Sequence, residues 1–152
     1  MRPPRGAAAI ATVLMSVTML SACGGSAEEQ YCSAVRDEKS TLDKLAHESK
    51  GAKTDVVTPT LQAFERLQKA APPELSDEYQ TVVFAYQDLL EAIHRAGIDP
   101  QGYRPGSRPA GLSAANAHEL AAVAAKLDSP HVTDAVAGIE QHAREVCHVT
   151  FG

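Results

Sequence analysis

Between Leu75 and Ile93 the apolar residues recur at alternating spacings of four and three: Leu75, Tyr79, Val82, Tyr86, Leu89 and Ile93. That rhythm puts all six on one stripe of an α-helix and conflicts with the two-residue period of a strand. Val83 and Leu90 widen the stripe, and Gly97 supplies a C-terminal cap. Whatever else the chain does, it must build partners for this face. Tyr79 and Tyr86 read as core residues with their hydroxyls at the edge.

The neighbouring segments repeat the pattern. Tyr31, Val35, Leu42 and Leu45 mark a first helix over about Ala27–Ser49, with Glu38 as its one polar interruption. Thr58 is the expected N-cap of a second helix with Pro59 at its first position, and Pro72-Pro73 stops it. Leu61, Phe64 and Leu67 give that helix its apolar face. Gly97 to Gly111 holds three prolines and four glycines and reads as a long loop. A shorter helix is expected from Ser113 to Leu127, with Leu120, Val123, Ala124 and Leu127 on one side. Ser129 then caps a last helix, Pro130 opening it, with Val132, Val136, Ile139 and Val146 facing inward. The expected core contains Leu42, Leu61, Phe64, Val82, Leu89, Ile93 and Ile139, each worth about 1.5–3 kcal/mol when buried.

Composition agrees with an all-α domain. Tryptophan is absent, aromatics are few, and no β-branched run long enough for a strand occurs beyond the first two dozen residues. Removing Arg2 and Arg5 leaves 12 basic against 19 acidic residues, a formal charge of −7. That balance argues against nucleic acid as a partner and against a generally membrane-adsorbing surface.

The N-terminus has a different character. Arg2 and Arg5 precede a 14-residue uncharged run from Ala7 to Leu20, and small residues follow. This is the layout of an export signal, and the run is short of the ~20 apolar residues needed to span a bilayer. Leu20-Ser21-Ala22-Cys23 directly after the run resembles the lipobox of bacterial lipoproteins. In that class the cysteine thiol takes a diacylglyceryl group and cleavage before it makes it the first mature residue. The resemblance implies a signal peptide over 1–22 and acylation at Cys23, with a short tether over 23–30 and a single helical domain over 31–152. It places the protein on the extracytoplasmic side of the cell membrane, held there by its N-terminal lipid. Extended, Cys23 to Tyr31 reaches at most about 28 Å, so the domain sits close to the bilayer.

With Cys23 acylated, the odd cysteine count resolves into one remaining pair, Cys32 and Cys147, free to form a disulfide outside the cell. Such a bond needs the start of the first helix and the end of the last at one end of the bundle. An up-and-down arrangement achieves that with an even number of long helices. The expected fold is therefore a four-helix up-and-down bundle with one extra short helix, Ser113–Leu127, as a bracing piece. The Tyr31-Cys32 start, the Ala71-Pro72-Pro73-Glu74-Leu75 hinge and the late Val146-Cys147 resemble small helical lipoproteins. These are common in high-GC Gram-positive bacteria and mostly have no assigned function. His148 stands where that class usually has glycine.

Catalytic signatures are missing. There is no GxSxG elbow, no phosphate-binding glycine loop and no HExxH. The six histidines (His47, His94, His118, His131, His142 and His148) contain no His-x-x-x-His pair, and paired carboxylates such as Asp77-Glu78 read as solvated helix faces. No cofactor is expected, and the chain reads as a non-catalytic binding or interaction module of the envelope. A small-molecule or metal carrier, using histidines or an inter-helix pocket, is the alternative. Candidate ligand-binding residues are Lys50, Lys53, Tyr103, Arg104 and Arg108. The up-and-down path should gather them at the tip away from the membrane, near Arg95, where they would attract an anionic envelope polymer or an acidic protein partner.

Overall fold

The protein's structure is a computed structural model that describes residues 25–49, 54–104 and 111–152. The segment expected to be an export signal and Cys23 lie outside the described residues, as do Lys50, Lys53 and Arg108. Among the described residues the fold consists of five α-helices: α1 (Ala27–Glu48), α2 (Val57–Ala70), α3 (Ser76–Arg95), α4 (Ala114–Leu127) and α5 (Pro130–Val146). Short 3₁₀ turns at Pro73–Leu75 and Pro100–Gly102 complete it, and no strand occurs among the described residues.

Each boundary has a local cause. A capping box opens α1: the Ser26 hydroxyl accepts from the Glu29 N–H at 3.1 Å, and the Glu29 carboxylate accepts from the Ser26 N–H at 2.7 Å. The second helix begins earlier than the Thr58 cap expected from the sequence. Asp55 Oδ1 accepts from the N–H groups of Val57 at 3.0 Å and Thr58 at 3.1 Å, so the satisfied amides lie one residue further back. Pro59 still falls within the first turn, where its missing N–H costs nothing. Leu75 closes the 3₁₀ turn rather than starting α3, because Pro72 holds the preceding backbone extended. The end of α3 is a Schellman motif, with Gly97 at φ 71° and the Ile98 N–H reaching the Ile93 carbonyl. Ser113 caps α4 as expected, accepting from Asn116 N–H at 3.1 Å. Ser129 occupies the cap position of α5, but its hydroxyl donates back to the Lys126 carbonyl instead.

The helix with the clearest stripe is the hub. α3 packs on α2 at one side and α5 at the other, and α4 covers its C-terminal half. α1 lies along α2 and meets α5 near the disulfide. Thus α1, α2, α3 and α5 form the four-helix bundle and α4 is the extra piece. Ion pairs fix its direction: Arg95 reaches Glu119 and Asp88 holds Lys126, so α4 runs antiparallel to α3. α5 then starts beside the N-terminal half of α3, where His131 meets Thr81, and continues in the same sense until Gly138 lies against Glu78.

Packing divides into two clusters. The larger, at the disulfide end, joins Tyr31, Val35, Leu67, Tyr79, Ile139 and Ala143 with Cys32 and Cys147. The smaller joins Val57, Leu89, Ala92, Ile93, Tyr103 and Leu120 at the opposite end. Of the expected core, Leu61, Val82, Leu89, Ile93 and Ile139 are buried, while Leu42 and Phe64 are only half-buried. The Cys32–Cys147 bond is formed, with Cα atoms 5.0 Å apart and 115 residues of separation. In the chain-entropy picture a loop of that length contributes about 4–5 kcal/mol. Glu38, the polar interruption of the first stripe, is buried but paired. Arg66 of α2 holds it with a two-pronged guanidinium contact, so the carboxylate couples α1 to α2.

Tyr31 and Tyr79 meet hydroxyl to hydroxyl at 2.9 Å in the larger cluster, inside the core and not at its edge. Burial pushes both phenols above their ordinary pKa, Tyr79 far above it. Changing either tyrosine to phenylalanine strands the other hydroxyl and should cost about 1–3 kcal/mol in urea unfolding. Y31F/Y79F together should cost less than the sum of the singles; an additive cycle would contradict this pairing. Because the unfolded phenols titrate near 10.0 and the folded ones higher, this contribution is complete below that pH and falls as pH rises beyond it.

His148 is the one non-glycine with positive φ, at 55°, among the described residues. The turn lets Val149 N–H reach the Ala143 carbonyl and buries Val149. A left-handed residue with a Cβ is strained, which accounts for glycine being the usual choice at such a place. His148→Gly should therefore raise stability, by up to about 1 kcal/mol after the loss in unfolded-state restriction. A lower thermal midpoint for the variant would refute the strain.

Candidate ligand cavity

The basic residues expected at the distal tip have local partners where they are described. Arg95 bridges Glu91 at 2.6 Å and Glu119 at 2.9 Å. Arg104 donates to the carbonyls of Gln101, at 3.0 Å, and Tyr103, tying down its own loop. That loop does lie at the far end: Gln101 lines a shallow depression with Glu48, Thr54 and Asp55. Cys32 and Cys147 are at the other end of the bundle, in the larger cluster. Tyr103 departs most from a loop residue. It is 3% exposed and belongs to the smaller core cluster.

Tyr103 also lines a cavity of about 1020 Å³, which lies where the two core clusters part. One wall is the second half of α1 and the first half of α2, including Leu42, Leu45, Val57, Thr60 and Phe64. Leu89 and Tyr86 of α3 form the floor, with Tyr86 stacked on Phe64 at 5.9 Å between ring centroids. The opposite wall is α4, with Val132, Val136 and Ile139 from the start of α5.

The cavity exists because two elements fall short. α5 begins beside the N-terminal half of α3, so it cannot fill the far end of the bundle. α4 takes that place but presents Ala117, Ala121, Ala124 and Ala125 to the space, side chains too small to reach α1 and α2. Leu42 and Phe64 are half-buried for the same reason: they face the gap. The chain's last residues close one seam. Phe151 lines the cavity and Gly152 N–H donates to Asp43 Oδ1 at 3.0 Å. Lys39 and this N–H together hold the Asp43 carboxyl below the usual range.

Few polar groups interrupt the apolar lining. Tyr86 and Tyr103 contribute phenols that have no hydrogen-bond partner among the described residues. Burial raises the pKa of both, and the Asp128 charge raises it further. At pH 7 both are neutral donors. His118, Asp128 and Glu140 also face the space. Among the described residues no three histidine, cysteine or carboxylate side chains gather as a metal site.

Sequence reasoning singled out Tyr103 but missed Asp128, His118, Glu140 and the half-buried ring of Phe64 as cavity residues. The available signal was the alanine content of residues 114–125, which makes α4 thin away from its Leu120 and Val123 side. No family model matches the chain, and neither a curated protein nor a solved structure does so.

Proposed function

We propose that this chain is a non-catalytic, lipid-anchored binding protein on the extracytoplasmic face of the cell membrane, and that it holds a small apolar ligand between its helices. The cavity carries the reading. Its volume of about 1020 Å³ lies at the upper end of the range of small-molecule sites, and its walls are mainly Leu, Val, Phe, Tyr and Ala. A few polar groups set within an apolar lining fit recognition of an amphiphile better than chemistry on a substrate. The lipobox-like Leu20–Cys23 supplies the address, and no helix among the described residues is long and apolar enough to cross a membrane. An inter-helix carrier is favoured over an anionic-polymer binder, because Arg95 and Arg104 are already engaged locally.

Two measurements test the two halves. Ala121 and Ala125 are exposed to the space and one turn apart, so A121F/A125F should fill it without disturbing the buried face of α4. The variant should lose binding of the neutral apolar dye Nile red while its helicity and melting temperature stay close to the parent. Equal dye binding by both proteins would remove the cavity from the proposal. Cys23→Ser should move the protein from the membrane fraction into the soluble one; retention in the membrane would overturn the anchor.

A further inference from the structure

We propose that the occupant of the cavity is a single-chain amphiphile with a cationic head group. This rests on the carrier reading above and narrows it. Every charged side chain that lines the cavity among the described residues, histidine aside, is a carboxylate: Asp43, Asp128 and Glu140. No lysine or arginine joins them. Asp43 is paired with Lys39, which offsets its charge. Asp128 and Glu140 make no ion pair among the described residues. Both residues are exposed, so the lining is left with two carboxylates in no ion pair beside an apolar surface.

A second, independent feature sits at the same place. Tyr103 is 97% buried, since only 3% of it is exposed, yet its phenol has no partner among the described residues. Tyr86 is alike in lacking one, and both rings feel the charge of Asp128. Two aromatic rings and a free carboxylate are what an ammonium group recognises, through charge and through the ring faces. A fatty-acid anion would meet Asp128 and Glu140 with the wrong sign. The apolar body has room: at roughly 30 Å³ per water-sized group, about 1020 Å³ admits roughly 30 non-hydrogen atoms. The cavity thereby takes a partner of opposite charge to the anion expected at Tyr103 from the sequence.

The test compares three probes of one chain length, dodecylamine, dodecanol and dodecanoate, as competitors of Nile red. It uses the Cys23→Ser protein at pH 7, below the concentrations at which the probes form micelles. Dodecylamine should displace the dye at a concentration at least about tenfold lower than dodecanoate, a gap of ~1.4 kcal/mol, with dodecanol between them. D128N/E140Q should collapse that gap while still binding Nile red, and each single variant should narrow it. Dodecanoate competing as well as the amine, with dye binding intact, overturns the cationic head group and leaves the carrier reading standing. No dye binding by the parent protein overturns both.

Discussion

The covalent bond between Cys32 and Cys147 sets the terms for everything else in the fold. It fixes the second turn of α1 beside the C-terminal end of α5, so the chain must leave that end and return to it. Around it the tyrosine pair, Val35, Ile139 and Ala143 pack into a continuous core. Further away the helices are held by packing, the Glu38–Arg66 contact and surface ion pairs, the last of which contribute little individually. One end of the bundle is therefore held closed, and towards the other there is space between the walls.

α3 mediates between the two ends. Its stripe supplies Tyr79 and Val82 to the tight cluster and Leu89 and Ile93 to the looser one. Tyr86, between them, belongs to neither fully and becomes the floor of the cavity. The Glu38–Arg66 contact has a complementary role, joining α1 to α2 so that the pair forms one wall. α4 and α5 form the other, and only the break at Asp128–Pro130 lets the two helices divide the length of α3 between them.

Much of this was legible in the residues. The four-and-three spacing from Leu75 to Ile93, the parity of the cysteines and the Gly97 cap are local or arithmetical signals, and each has its counterpart in the fold. The shift at α2 arose because an aspartate two residues before the helix competes with threonine as a cap, a choice that local spacing leaves undecided. The cavity was illegible for a deeper reason. Periodicity tells which face of a helix is apolar, and Leu42 and Phe64 look the same whether they meet a neighbour or a gap. What separates those outcomes is how far α4 stands from α1 and α2, a distance set by packing at α3.

The alanine face of α4 has one more consequence. Positions 121 and 125 are exposed and stand in the wall that faces the gap, so enlarging either alters the volume available without unseating the core. A single methylene in an apolar pocket discriminates ligands by roughly 10–200-fold. Under the proposed carrier function, selectivity would be evolvable in small steps: one substitution of alanine by valine or leucine would shorten the accepted chain, and the reverse change would lengthen it. The scaffold and its disulfide would stay the same while the proposed ligand range drifted.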